Sequence, residues 1–146
     1  MRRFEVVSKY VNQKVNLPVR ASKDSAGYDF EVIENVEIMP GEIKLVPTGV
    51  KALMPKSEVL LVFPRSSLGM KKGLMMSNGV GVIDADYYYS ENEGHIMIPL
   101  YNFTQNTVKI NAYERVAQGI FTNFYKTTGD DDNHTVRLGG FGSSGK

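Results

Sequence analysis

Two carboxylates that lie two residues apart, Asp84 and Asp86, stand at the end of a short apolar run. Three tyrosines, Tyr87 to Tyr89, follow them, and a second apolar run extends from His95 to Tyr101. This pattern predicts two strands paired as a hairpin, with acidic and aromatic groups at its mouth. A carboxylate that holds one ordered water suits general-base chemistry. The hairpin is therefore predicted to form a nucleoside pocket and to supply a catalytic base.

Further segments combine charged or hydroxyl side chains with a strand end or a tight turn. Arg65, Ser66 and Ser67 directly follow the apolar run V-L-L-V-F. A guanidinium beside two hydroxyls and free backbone N–H groups forms an anion site, but the same residues also fit an exposed arginine and a helix cap. The segments E-R-V-A-Q and A-G-Y-D-F add polar groups at a strand start and a glycine turn, namely Arg115, Gln118 and Asp29. Each of these also fits an ordinary loop or turn.

The composition changes at Lys126, where T-T-G-D-D-D-N-H forms a linker that leads into a glycine-rich tail. Glycine amides and serine hydroxyls in the tail can surround an anion. Taken alone, the tail is typical of a terminus without fixed structure. The more specific alternative is a segment that closes over a bound nucleotide, with Phe141 stacking on its base.

The elements that position these groups are predicted to be short strands, because helical periodicity is nearly absent from the sequence. Glycine, proline and asparagine punctuate the apolar runs, which indicates an all-β sandwich, jelly roll or barrel. The run V-L-L-V-F is predicted as a fully buried strand. At most one short helix is expected, from Ser66 to Lys72, with a serine cap at its start and Gly73 at its end. We expect one domain over residues 1–125, followed by the linker and tail over residues 126–146.

The overall composition excludes several classes of protein. A chain of 146 residues with 42% hydrophobic and 23% charged residues is typical of a globular domain. Its net charge is +1 and it has no basic stripe, so neither nucleic acid nor a membrane is an expected partner. It has no cysteine, which excludes disulfides, thiolate zinc sites and cysteine nucleophiles. No signal peptide or membrane span is predicted, and a cytoplasmic location is expected.

Five segments, taken in order, resemble the five signature motifs of the trimeric dUTP pyrophosphatase (dUTPase) family. A-G-Y-D-F resembles the first motif, P-R-S-S-L-G-M-K the second and N-G-V-G-V-I-D-A-D-Y the third. E-R-V-A-Q resembles the fourth motif and G-G-F-G-S-S-G the fifth. The resemblance extends from Ala26 to Gly145. After Tyr87, the segment Y-Y-S-E-N-E-G is longer and more acidic than the turn usual in the family.

The resemblance implies a homotrimer of distorted β jelly-roll or barrel subunits, in which three chains build each pocket. It implies hydrolysis of dUTP to dUMP and diphosphate, which limits uracil incorporation into DNA and supplies dUMP for thymidylate synthesis. Mg²⁺ would be held mainly by triphosphate oxygens and waters, since it dehydrates reluctantly. Asp29 would reach this metal through water or fix a neighbouring arginine.

The resemblance also implies roles for single residues. Asp84 would be the base that activates the water attacking the α-phosphorus, and Asp86 would support the turn. Asn78 and the backbone at Gly81 would read uracil, while Tyr87 would pack under the deoxyribose and exclude a 2′-hydroxyl. The other substrate contacts would come from Arg65, Ser66, Ser67, Arg115, Gln118, Arg137, Phe141, Gly142, Ser143 and Ser144.

Two alternative functions are compatible with the same fold. A dCTP deaminase is the enzymatic alternative, although the run I-D-A-D-Y favours a dUTPase. A non-catalytic jelly-roll module that binds a nucleotide or a regulatory protein partner is the second alternative. Binding alone does not require the carboxylate of Asp84, which favours an enzyme.

Overall fold

The fold is built almost entirely from short antiparallel strands in the computed structural model, which describes residues 1–130, Arg137 and Gly139. The strands are β1 (Arg3–Val6), β2 (Val19–Arg20), β3 (Tyr28–Glu31), β4 (Val36–Ile38), β5 (Ile43–Pro47), β6 (Val50–Leu53), β7 (Glu58–Pro64), β8 (Leu74–Met76), β9 (Gly81–Asp84), β10 (Met97–Asn102), β11 (Val108–Ile110) and β12 (Arg115–Asn123). A five-stranded sheet has the order β2-β3-β12-β7-β9, and a three-stranded sheet has the order β5-β10-β8. The pairs β1-β6 and β11-β4 complete the all-β architecture that the sequence predicts.

One hydrophobic cluster joins the sheets, and the strand β7 shows how the sequence fills it. Leu60 and Val62 are buried in this cluster, whereas Leu61 and Phe63, which alternate with them, are only half-buried. Each fully buried side chain of this size contributes about 1.5–3 kcal/mol by leaving water. The prediction of a fully buried strand is therefore wrong for one face of β7. An antiparallel sheet allows this arrangement, because one of its faces can pack on the core while the other does not.

The predicted hairpin over Ser77 to Asn102 is wrong. β9 pairs with β7 in the five-stranded sheet, whereas β10 pairs with β5 and β8 in the three-stranded sheet. Between them the chain forms a 3₁₀ turn over Ala85–Tyr89 and then a loop, so this segment crosses from one sheet to the other. The acids and tyrosines lie at this crossing and not at the mouth of a hairpin.

Helical structure is limited to short turns in the described part of the chain. A 3₁₀ turn covers Ser8–Tyr10, and a π-helical turn covers Leu68–Lys72, inside the predicted helix. Gly73 ends this turn in the left-handed region, at φ 69°, as predicted. The predicted serine cap is wrong, because Ser67 makes no side-chain cap hydrogen bond. No helix among the described residues has the length and apolar character needed to span a membrane.

Candidate active site

The two carboxylates that the sequence singles out lie side by side and share one arginine. Asp84 is the last residue of β9, and Asp86 lies in the 3₁₀ turn that follows. Arg137 donates from Nη2 to Asp84 Oδ2 at 2.7 Å, and its Nε lies 3.1 Å from Asp86 Oδ1. Both carboxylates remain at least half exposed, whereas the Arg137 side chain is only 12% exposed. Asp84 is thus an accessible carboxylate with a cation beside it.

Tyr87 adjoins the carboxylates and is held at its hydroxyl. The hydroxyl donates to the backbone carbonyl of His95 at 2.6 Å and accepts from Asn92 Nδ2 at 2.9 Å. The guanidinium carbon of Arg137 lies 5.6 Å from the ring centroid, within the range of a cation–π contact. Burial raises the pKa of Tyr87, so its phenol stays protonated at neutral pH. The ring is therefore a fixed neutral surface next to Asp84.

Asp29 lies between two arginines on the five-stranded sheet. Its carboxylate is buried; Oδ1 is 3.8 Å from Arg65 Nε and Oδ2 is 3.6 Å from Arg115 Nη1. Gln118 lies opposite Asp29 in the pairing of β12 with β3. A Cβ on Gly27 would lie 2.4 Å from Gln118 Oε1, so this side-chain position requires glycine there. The two guanidinium groups and the amide thus lie around Asp29.

A cleft of about 320 Å³ lies beside these arginines. It is lined by Arg65, Ser67, Leu68, Lys71, Lys72, Tyr113, Glu114, Arg115 and Val116. Lys72 is paired with Glu114 at 3.0 Å, and Lys71 is exposed. The sequence motifs assign neither lysine a role, although Lys71 is the last residue of the second motif and Lys72 directly follows it. The surplus of cationic groups suits this cleft to a polyanion.

Asn78 and Gly81 adjoin each other at the start of β9. Asn78 is exposed in a turn whose next residue, Gly79, has φ 74° and donates its N–H to Met76 O at 3.0 Å. Gly81 is buried opposite Val62, and a Cβ on it would lie 3.7 Å from Asn78 Nδ2. An exposed amide side chain beside the backbone of a strand start can pair with the edge of a planar base.

The predicted site residues form two groups that are separate within one chain. Asp84 lies opposite Val59 of β7, whereas Gln118 lies opposite Phe63, four residues further along the same strand. Four residues along β7 and two strand spacings across the sheet separate Asp84 from Gln118 by roughly 15 Å. The intervening row consists of apolar side chains, Ile120, Leu61 and Val82. We call Asp29, Arg65, Arg115 and Gln118 the arginine group. The proposed base, Asp84, and the arginine group are therefore not brought together in a single chain.

Several predicted contacts lie outside the described residues, namely Phe141, Gly142, Ser143 and Ser144. Their assignment to the base and the phosphates remains a prediction. Of the predicted tail contacts, Arg137 is described, and it meets the acids of its own chain.

The chain is similar to known proteins both in sequence and in fold. The family model described as dUTPase matches residues 13–145. A deoxyuridine 5′-triphosphate nucleotidohydrolase of Lactococcus lactis is 51% identical over 99% of this chain and 98% of that protein. The crystal structure of dUTPase from Streptococcus mutans is 50% identical, covers 85% of this chain and 97% of that chain, and has a TM-score of 0.81. A dUTPase variant from phage phi11 of S. aureus, solved with a structural Mg(II) ion, shares the fold at 22% identity, 87% and 93% coverage and a TM-score of 0.72.

Proposed function

The chain belongs to the dUTPase family, and on this premise we propose that it hydrolyses dUTP to dUMP and diphosphate. The observation that carries the proposal is the position of Asp84. An exposed carboxylate ends a strand next to a fixed aromatic ring, three residues after the glycine that adjoins an exposed amide. The order Asn78, Gly81, Asp84 and Tyr87 thus supplies a base reader, a general base and a sugar-packing ring along one short segment.

Asp84 is proposed to accept a proton from the attacking water. The water oxygen forms a bond to the α-phosphorus while the bond from that phosphorus to the bridging oxygen breaks. Diphosphate leaves with the bonding electron pair, and dUMP retains the new oxygen. Half of the Asp84 side chain is exposed, which leaves room for such a water. Arg137 would exchange its carboxylate partners for the outer phosphates of the substrate.

Arg65 and Arg115 are proposed to bind the triphosphate, together with Ser66, Ser67 and Gln118. Negative charge increases on the phosphoryl oxygens in the transition state, and prearranged cations stabilise it without reorganising. Asp29 supports this role because it holds both guanidinium groups from a buried position. The contacts of Asp29 fit a role in fixing the two arginines. A water-mediated contact to a metal stays a prediction.

Mg²⁺ is the proposed cofactor, and the donor set fits a metal carried by the substrate. In residues 1–130, Arg137 and Gly139, no three His, Cys, Asp or Glu side chains are grouped to hold a metal ion. A cation that keeps its waters and binds phosphate oxygens needs no such cage. When bound, Mg²⁺ would neutralise charge on the triphosphate, and Asp29 or Asp84 would contact it through water.

A homotrimer with shared sites is the proposed assembly. The separation of Asp84 from the arginine group within one chain supports it, because a neighbouring chain can bring one group to the other. A cyclic trimer needs two different complementary surfaces on each chain. Two apolar rows are available on the sheets: Ile120, Leu61 and Val82 on one, and Ile43, Tyr101 and Met75 on the other. Val82 and Ile43 are 60% and 59% exposed in the single chain, which is typical of an interface.

Diphosphate release from dUTP, UTP, dCTP, dTTP, dATP and dGTP with Mg²⁺ tests the proposed activity. We expect release from dUTP alone. Ammonia from dCTP without diphosphate from dUTP would indicate the deaminase, and binding of dUTP without turnover would indicate a non-catalytic module. The same protein should run as a trimer in light scattering at micromolar concentration. The expected cytoplasmic location stays a prediction.

A further inference from the structure

The segment after Tyr87, which the family resemblance leaves without a role, folds into a compact tip. We define the tip as residues 88–94. Ser90 is buried and donates from its hydroxyl to the backbone carbonyl of Tyr87 at 2.7 Å. The backbone N–H of Gly94 donates to both Ser90 Oγ and Asn92 Oδ1, each at 3.2 Å. Gly94 has φ 73°, and a Cβ there would lie 2.7 Å from Tyr87 O, so the tip closes tightly against the tyrosine.

The outer side of the tip is attached to the first strand of the protein and to β6. Lys51 Nζ lies 3.0 Å from Glu93 and 4.7 Å from the ring centroid of Tyr88. The Tyr88 hydroxyl donates to Glu5 Oε1 at 2.7 Å. These contacts join β1, β6 and the tip, and the tip places Asn92 against the hydroxyl of Tyr87.

The Asn92 side chain is oriented by contacts within the tip. Its Oδ1 accepts from the Gly94 N–H at 3.2 Å and lies 2.7 Å from Ser90 Oγ, so its amide nitrogen faces the Tyr87 hydroxyl. That nitrogen donates at 2.9 Å, while the same hydroxyl donates to His95 O at 2.6 Å. The hydroxyl end of the ring is thus held by a donor and an acceptor from the two ends of one loop. A ring held in this way cannot move aside to admit a larger sugar.

We propose that Asn92 is a positioning residue that sets the selectivity of the site for deoxyribose over ribose, by fixing Tyr87 through its hydroxyl. The inference rests on the proposed function, since it assigns Tyr87 to the sugar. Asn92 acts through the tyrosine and not on the substrate. Loss of its N–H donor removes one of the hydrogen bonds that hold the ring, and the loosened ring lets a 2′-hydroxyl enter.

The test compares kcat/KM for dUTP and UTP in Asn92→Asp, Tyr87→Phe and the double variant. Asn92→Asp keeps the oxygen that Ser90 and Gly94 need but loses the donor to Tyr87. We expect the dUTP/UTP ratio of kcat/KM to fall at least tenfold in each single variant, and kcat for dUTP in Asn92→Asp to stay within threefold of the wild type. The double variant should fall no further than Tyr87→Phe, because removal of the hydroxyl already removes the hydrogen bond that Asn92 donates.

Two controls separate this effect from charge and from loss of folding. Glu91→Gln changes the charge of an exposed residue in the same tip, and Asn106→Asp makes the same chemical change in an exposed turn. Both should keep the wild-type ratio. An unchanged ratio in Asn92→Asp and Tyr87→Phe, or additive losses in the double variant, would overturn the inference. If Asn92→Asp does not fold, Asn92→Leu, which is close in volume and also lacks the N–H donor, takes its place in the same comparison. Wild-type protein without activity on dUTP would refute the proposed function instead.

Discussion

Asp84 and Asp86 show how two similar carboxylates can differ in role. Both contact Arg137 and both are at least half exposed, so charge and access do not distinguish them. Their backbones do. Asp84 is extended, with φ −74° and ψ 153°, at the end of a strand paired with β7, whereas Asp86 lies in the first turn of a 3₁₀ helix. A general base must be held in one place, and the paired strand holds Asp84 better than the turn holds Asp86.

Asp84→Asn is expected to retain dUTP binding and to lose turnover by about 10²–10⁴-fold, since an amide cannot accept the water proton. Calorimetric titration with dUTP and steady-state diphosphate release measure the two properties separately. Asp86→Asn is the matched control, because it also removes one partner of Arg137, and it should keep most of the activity. Equal losses in the two variants would show that the general base is misassigned.

At the level of single residues, the sequence was informative wherever a motif stood at a strand end. Arg65, Arg115 and Gln118, each singled out at a strand end or start, lie around Asp29 in the described chain, and their contact with substrate stays a prediction. The role of Asn92 could not be predicted, because it depends on a loop whose path is set by hydrogen bonds to Tyr87 and Gly94. A short polar run does not specify which of its side chains turns inward.

At the level of elements, the strands were predictable but their pairing was not. Short apolar runs located most of the strands, including β7 and β10. Two strands that follow each other in sequence were expected to pair, yet β9 and β10 belong to different sheets. The 3₁₀ turn over Ala85–Tyr89 redirects the chain between them. No local pattern in D-A-D-Y-Y-Y distinguishes such a crossing from a hairpin turn.

His95 links this crossing to the turn that precedes β6 and is expected to make the stability of the fold depend on pH. Its Nε2 accepts from the Gly49 N–H at 2.9 Å, and burial together with the charge of Lys9 lowers the pKa of His95 to about 4. The neutral form is therefore favoured in the folded state. Its contribution to stability is present above the unfolded pKa of about 6.5 and is lost as the pH falls towards 4.

We expect the melting temperature of the wild type to fall between pH 7 and pH 5 more steeply than that of His95→Gln. Glutamine can accept from Gly49 but does not titrate, so the variant should be less stable at pH 7 and show a shallower slope. Calorimetric melting at half-unit steps of pH measures both curves. Parallel curves would mean that other groups cause the pH dependence.

Deleting residues 139–146 should reduce kcat/KM at least tenfold while changing the melting temperature little. All buried core residues of the described chain lie between Phe4 and Ala117, so the core does not depend on the tail. The proposed closure over the nucleotide does depend on it. Melting curves and dUTP kinetics of the truncated protein test this. A large drop in melting temperature with unchanged kinetics would assign the tail to folding and not to substrate closure.

At the level of the whole molecule, one chain carries two partial sites. Asp84 and the arginine group lie on the same face of the five-stranded sheet, with the apolar row of Ile120, Leu61 and Val82 between them. A neighbouring chain that covers this row can bring its arginine group to Asp84 of this chain, or its Asp84 to the arginine group of this chain. The assembly could not be derived from periodicity, because exposure of these residues follows from the pairing of β12, β7 and β9.

Co-expression of two inactive variants tests most directly whether the site is shared. Asp84→Asn chains keep the arginine group, and Arg115→Gln chains keep the base, so a site between unlike chains has both parts. With equal amounts and random assembly, we expect about a quarter of the wild-type dUTP turnover, since half of the chains carry each intact part. Turnover no greater than the mean of the two separate variants would contradict a site built between chains.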